Sequence, residues 1–406
     1  MSPVLPFDIA ALIIDIVGEN NDTKLLKELA LVSHSFHQMC SKHLFATVDL
    51  QAVSKHHVTS SKRGFIKLLQ SRPDVVKHIR KLTYRIESNQ FAPSTDDRLS
   101  PILPNFLRTI SHLNCLKINA PAADWNTLDS SLKSALLHLM HLPTVNHIEL
   151  SYIYNFSLSN LTPSVNLLRL DMTCVVDLLE EGPDSEFVVQ SEMLPKLRQF
   201  HTSDSSLLTT KLLNAKMQDG QPAFNFVDLR RLSLSSDEFE DDWNNRFLLQ
   251  NVKLLEKLHF SFGHGGRLVG LHDLLSPSAP TLKVLDLTVF LFDEVLSELC
   301  VELVAMAGHN MLEALSFEVR IHVDDIENCI RSIIEEVEKV LVEPGWSALR
   351  HVSFEFSFGY WGKSREKVTK LSEALLHYLP DKYPNFSKLE FVAINSSYVI
   401  KCELEF

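Results

Sequence analysis

A six-residue pattern, apolar-x-x-apolar-x-apolar, returns along most of this 406-residue chain and limits what it can become. It reads FATVDL (45–50), IRKLTY (79–84), LNCLKI (113–118), VNHIEL (145–150), VNLLRL (165–170) and LRQFHT (197–202). It continues as LRRLSL (229–234), LEKLHF (255–260), LKVLDL (282–287), LEALSF (312–317), LRHVSF (349–354) and FSKLEF (386–391). At an ordinary globular composition roughly twenty such matches arise by chance, so the pattern needs support. Spacing supplies part of it: these matches lie 20 to 37 residues apart, with helix-like stretches between them at 127–141, 291–308, 323–343 and 364–379. Proline supplies the rest. It stands two residues before the pattern in five of the twelve cases, at Pro143, Pro163, Pro195, Pro280 and Pro384, in a chain with 17 prolines. Proline cannot continue a helix, and it pushes its predecessor into extended geometry, so it stops a helix and starts a strand.

Each unit therefore reads helix, proline turn, strand. One such unit cannot bury its apolar face alone, and stacked units share a continuous core. The hexamer is the core of a leucine-rich repeat, without the asparagine ladder of the typical motif. The expected fold class is α/β, an irregular solenoid with parallel strands on a concave wall and helices on a convex one. Polar or proline-rich stretches at Glu87–Pro101, Glu180–Glu192, Ser203–Phe226 and Ser235–Asn245 read as insertion loops.

The chain opens differently, with LPFDIAALIIDIV (5–17). Ile9, Leu12, Ile13 and Ile16 form one apolar stripe at helical spacing, and Ala10, Ala11, Ile14 and Val17 form a second. Pro6 suits the start of this helix and Gly18 its stop. A surface helix buries one face, so the second stripe needs a cover. Asp22 or Thr23 can cap a second helix carrying Leu25, Leu26 and Leu29, and a third short helix follows with Val32, Phe36, Met39 and Leu44. Three short helices make a core near the lower limit for independent folding.

Leu5-Pro6, Ile9, Ile13-Ile14, Leu26, Val32-Ser33 and Phe36, with the endings LALVSHSF and HLFATVDL, resemble an F-box of the divergent fungal type. The resemblance covers residues 4–50; Phe36 stands where many members carry Trp, and Ser33 where many carry Cys. It implies an F-box over residues 1–46 and a repeat region over 47–406. It further implies a Skp1-like adaptor, and through it a cullin, held by Leu5, Pro6, Ile9, Leu12, Ile13, Ile16, Leu26, Leu29, Val32, Ser33 and Phe36. Burying the large aliphatics of that face would be worth on the order of 10 kcal/mol gross, less the several kcal/mol that association costs. The implied function is substrate recognition in a Skp1–cullin–F-box ubiquitin ligase, with no catalytic residue of its own. The alternative is a leucine-rich-repeat scaffold without a ubiquitin role, whose first helices cap the end of the solenoid.

Composition narrows the partners. A formal charge of −12 argues against nucleic acid, which needs dense Lys and Arg. No apolar run reaches the length of a membrane span, and the N-terminus lacks the basic and small-residue marks of a secretory signal. Six scattered cysteines, none in a C-x-x-C pair, suit reduced thiols in a cytoplasmic or nuclear protein. No cofactor or metal is expected. FGYWGKS (358–364) lacks the first glycine of a P-loop, and FGHGGRLVG (262–270) is not a dinucleotide fingerprint. His138, His141 and His147 lack a fourth zinc ligand and read as surface or half-buried histidines. The acidic run Asp237 to Asp242 reads as a solvated loop.

Strand alternation points one residue of each hexamer to the concave wall: Arg169, His201, Ser233, His259, Asp286, Ser316, Ser353 and Glu390. Glu318 and Glu355 lie two residues further along their strands. Asp286, Glu318, Glu355 and Glu390 make this half acidic, and are the expected contacts to a basic segment of a client protein.

Overall fold

The computed structural model describes residues 6–50, 58–86, 102–176, 188–189, 195–217, 222–236, 248–262, 270–291, 295–308, 310–321, 326–359, 386–394 and 397–405. The chain is α/β and forms two compact units. The first comprises Met1–Pro195 with Asn214–Phe224, the second Lys196–Leu213 with Asn225–Phe406. The division thus falls inside the expected repeat region and not at residue 46. Among the described residues no helix is long and apolar enough to cross a membrane.

The first unit opens with three helices, α1 (Phe7–Glu19), α2 (Thr23–Ala30) and α3 (His34–Leu44). Pro6 precedes α1 in extended geometry, φ −55° and ψ 139°. The Asp22 carboxylate accepts from the Leu25 N–H at 3.0 Å and caps α2. The Ser33 hydroxyl accepts from the Phe36 N–H at 3.3 Å and caps α3. Ile14, Leu26 and Cys40 form a small core, flanked by Val17, Leu29, Ala30, Phe36, Met39 and Leu44. Gly18 does not stop α1; it lies inside it. A Cβ there would fall 2.2 Å from Nδ1 of His43, whose Nε2 reaches the Asp15 carboxylate at 2.7 Å. The stop comes at Asn21, which takes a left-handed φ of 55°, a conformation asparagine adopts more readily than most residues.

α3 leads directly into the sheet. The Ala46 carbonyl accepts from the N–H groups of Arg80 and Lys81, both at 2.8 Å. β1 (Thr47–Leu50) then pairs with β2 (Lys81–Arg85), and β3 (Cys115–Asp124), β4 (His147–Tyr154) and β5 (Arg169–Thr173) follow in chain order, all parallel. Leu82, Leu116, Ile148 and Leu170 occupy one register row and are fully buried. Helices α4 (Val58–Ser71), α5 (Ile102–Leu107) and α6 (Ser130–Met140) pack one on the next, and α6 turns Ala135, Leu136, Leu139 and Met140 inward. Chain-ordered parallel strands with a helix in the crossover are what stacked helix–strand units produce.

One hexamer is out of frame. The pattern in VNLLRL falls on Val165, Leu168 and Leu170, yet Leu170 pairs with Ile148 and Met172 with Leu150. The buried frame is Leu167, Leu170 and Met172, two residues on, and Leu168 is exposed. The residue facing the polar side at the expected position is therefore Asp171, not Arg169. Within the first unit, β6 (Val188–Val189) also pairs with β8 (Lys216–Met217), in parallel. The span 203–226, expected as an insertion loop, contains helix α7 (Ser206–Asn214) and that strand.

The second unit repeats the scheme. β7 (Gln199–Ser203), β9 (Arg231–Ser236), β10 (Lys257–Phe262), β11 (Val284–Leu291), β12 (Ala314–Ile321) and β13 (His351–Gly359) run parallel in chain order. Helices α8 (Leu271–Leu275), α9 (Val295–Met306) and α10 (Ile326–Leu341) pack in sequence. α10 buries Ile330, Ile333, Ile334, Val337 and Leu341 on one stripe. Rings of Phe317 and Phe354 stack across neighbouring strands at 5.1 Å. The last hexamer departs from the expected order. β15 (Ser397–Glu405) lies between β13 and β14 (Phe386–Ile394), antiparallel to both. Only two residues connect β14 to β15, and a parallel pair needs a crossover of about a dozen. For β14 and β15 the backbone alone is described. The helix-like stretch 364–379, the loop 87–101 and the acidic run 237–242 lie outside the described residues.

Candidate functional site

α1 cannot bury both of its apolar faces against two short helices. Ala10, Ile14 and Val17 face the small core, whereas Ile9, Leu12, Ile13 and Ile16 stand 43–58% exposed. These four recur at i, i+3, i+4 and i+7, so they share one side of the helix. Each has already given up about half its surface, so covering the rest of all four is worth roughly 4 kcal/mol. That is less than the gross figure reckoned from full burial. Leu31 is 88% and Val32 65% exposed in the turn between α2 and α3; including both brings the total to roughly 7 kcal/mol. Leu31 and Phe7, also exposed, escaped the sequence reading, because a turn residue or a helix-end residue breaks no periodicity.

The remaining expected adaptor contacts divide. Leu26 is fully buried in the three-helix core and is not available to a partner; the helix stripe it belongs to faces inward. Leu29 and Phe36 pack partly against the same core. Ser33 has a structural task as the cap of α3, and Pro6 is exposed at the head of α1. Leu5 lies outside the described residues.

On the polar face of the second unit two of the expected acidic positions, Asp286 and Glu318, are already countered by neighbouring cations. Asp286 pairs with Lys257 at 2.6 Å. Glu318 accepts from Arg320 Nε at 3.0 Å and from the Thr288 hydroxyl at 3.1 Å. Glu318 and Glu355 are register partners on β12 and β13, and Glu355 lies opposite Lys401 on β15. Glu390 is on β14; its side chain lies outside the described residues. His259, on the same face, has its protonation pushed down by burial, against the pull of Asp286 and Glu318.

The densest chemistry lies on the polar face of the first unit. In-register pairing aligns Lys81, Cys115, His147 and Arg169 in one row and Thr83, Lys117, Glu149 and Asp171 in the next. Cys115 Sγ lies 3.2 Å from Nδ1 of His147, and Nε2 of the same ring lies 2.9 Å from Asp171 Oδ2. Arg169 donates Nε to both Asp171 oxygens, at 3.1 and 2.9 Å, and its Nη2 lies 2.8 Å from Oδ2. Burial by itself would lower the imidazole, but the Asp171 hydrogen bond and the Cys115 contact outweigh it and raise His147 to about 9. Burial likewise works to raise Asp171, yet its bonds to His147 and Arg169 hold it below the usual carboxylate range. His147, Glu149 and Asp171 present donor atoms within 4.8 Å of one another. Lys117 pairs with Glu149 and Arg169 with Asp171, so a divalent ion would have to displace two cations. Among the described residues the metal-capable grouping around His147 includes neither His138 nor His141; Nε2 of His141 bonds the Asn160 carbonyl instead, at 2.8 Å.

In the sequence His147 and Arg169 stand out separately, and Cys115 is one of six scattered thiols. Only the register of three strands shows that they adjoin, and the two-residue frame error at β5 hid Asp171. A scan of protein-family models gives no match to this chain, and a search of curated proteins gives no relative.

Proposed function

We propose that this chain is the substrate-recognition subunit of a Skp1–cullin–F-box ubiquitin ligase, with α1–α3 as the F-box. What supports this reading is one observation: four large aliphatics stand in water along a single side of α1 while its other side is packed. A monomer has no use for such a row, and an adaptor's helices would cover it. The α1 row alone, at roughly 4 kcal/mol, only matches the low end of the cost of association, so in this reading the adaptor reaches Leu31 and Val32 as well. The repeats behind it, an uneven solenoid in this reading, hold a client. The chain's contribution to ubiquitin transfer is proximity and carries no nucleophile for it. A basic client segment on the acidic face would exchange with Lys257 and Arg320 for Asp286 and Glu318. The reading places the protein in the cytoplasm or nucleus.

The second reading, a repeat scaffold without a ubiquitin role, draws on the way α3 runs directly into β1, the first strand of its sheet. One experiment separates the two. The full chain is co-expressed with a Skp1-like adaptor and captured through an affinity tag. A stoichiometric complex that Ile9→Glu with Ile13→Lys abolishes supports the ligase subunit. Absence of the complex, or its survival in that variant, removes the F-box assignment and leaves the scaffold.

A further inference from the structure

We propose that Cys115 is a redox modification site: a thiol that small peroxides oxidise to a sulfenic acid, with His147 as its proton partner and Asp171 as the group that orients His147. The inference is independent of the ligase reading. It rests on a line of three side chains from three successive strands, sulfur to imidazole at 3.2 Å and imidazole to carboxylate at 2.9 Å. Arg169 fixes the carboxylate from its other side. A thiol–imidazole–carboxylate line of this kind activates sulfur, because the thiol proton has a destination and the imidazole has one orientation.

Access is compatible with a small oxidant. Cys115 is only 5% exposed, but it points away from the core side, where Leu116 and Ile118 are buried. Its cover is the side-chain layer of the polar face, with Lys81 and His147 as its register neighbours. The charged groups facing the pair are Lys81 on β2, Lys117 on β3, Glu149 on β4, and Arg169 and Asp171 on β5. Cys40 and Cys300 are unlike it. Cys40 sits in the three-helix core, where burial pushes its thiol up. Burial, reinforced by Glu336, pushes Cys300 up to about 11.

The step balances. In the reactive pair the thiol proton resides on Nδ1 of His147. The sulfur attacks one oxygen of the peroxide, the S–O bond forms and the O–O bond breaks. Sulfur gives up two electrons and the peroxide takes them. The imidazolium returns the proton to the departing hydroxide, which leaves as water.

The test uses the full chain, hydrogen peroxide and a 1,3-diketone that traps sulfenic acids, read by peptide mass spectrometry. Cys115 is expected to be trapped at least tenfold faster than Cys40 or Cys300, and faster than the more exposed Cys174. His147→Gln should slow Cys115 at least tenfold and leave Cys174 unchanged, with Asp171→Asn between the two. In the unaltered chain the Cys115 rate should stop rising and fall as pH passes about 9, where the imidazole loses its proton. Trapping of Cys115 no faster than Cys40, or a rate that climbs through pH 9 as an unassisted thiol's does, would overturn the proposal without any variant.

Discussion

The two units are built from the same hexamer, yet they treat surplus chemistry differently. In the second unit, α10 carries one apolar stripe and buries it, with Ile330, Ile333, Ile334 and Val337 all inside. The acids Asp286 and Glu318 on its polar face each have a cation of their own. In the first unit, α1 carries two apolar stripes and buries one. The polar face there gathers a thiol, an imidazole, two carboxylates and three cations into adjoining register rows. The repeat grammar accounts for a scaffold in both units. What exceeds the grammar is concentrated in the first.

The largest effect should come from exchanging the two kinds of apolar position. Ile14→Ala in α1 and Ile333→Ala in α10 each remove a fully buried side chain and should cost about 2–5 kcal/mol in denaturant unfolding. Ile13→Ala, on the exposed side of α1, should stay within about 0.5 kcal/mol. A cost at Ile13 equal to that at Ile14 would mean that the outer stripe is already covered and would break the comparison.

Next come the two histidines, which should respond to pH in opposite senses. His147 is raised to about 9 in the folded chain from an ordinary 6.5. Its contribution is therefore fully present below pH 6.5 and lost as pH rises through about 9, a change of roughly 3 kcal/mol. His259 is lowered, so the stability linked to it is present above pH 6.5 and lost as pH falls below that value. Unfolding measured from pH 5 to 9 should lose the alkaline slope in His147→Gln and the acidic slope in His259→Gln.

A smaller effect is expected at the turn of the first unit. Leu31→Ala should weaken capture of a Skp1-like adaptor about tenfold, about 1.4 kcal/mol, with no change in melting temperature. An unchanged affinity would confine the docking surface to α1. The smallest effect belongs to the second unit's polar face. Glu318→Gln removes one partner of a half-exposed ion pair with Arg320 and should change stability by less than about 1 kcal/mol. A larger loss would show that this face, too, holds a cooperative network.

Much of the scaffold was legible because it is local. A hexamer with period-two burial places its own strand, and after Pro143, Pro195 and Pro280 the strand starts at His147, Gln199 and Val284, four residues on in each case. Ten of the twelve hexamers keep their expected frame and parallel neighbours. The exceptions show what local reading lacks. VNLLRL contains four apolar residues in six, so two frames fit it equally and only pairing with β4 decides between them. FSKLEF has the right pattern, but the strand that follows it in the chain takes the place beside β13. Gly18 reads as a helix stop until His43, 25 residues later in the chain, is seen to need the space.

The sequence by itself determined that the chain is α/β, where most strands lie, and that α1 has more apolar surface than one helix can hide. Periodicity is a property of a single segment, and it is enough for these. The tertiary structure alone decided which stripe of α1 went inward, which frame β5 took, and that Cys115, His147 and Asp171 meet. Those outcomes depend on pairing between segments far apart in the chain. There, register and packing select one arrangement among several that local patterns allow equally.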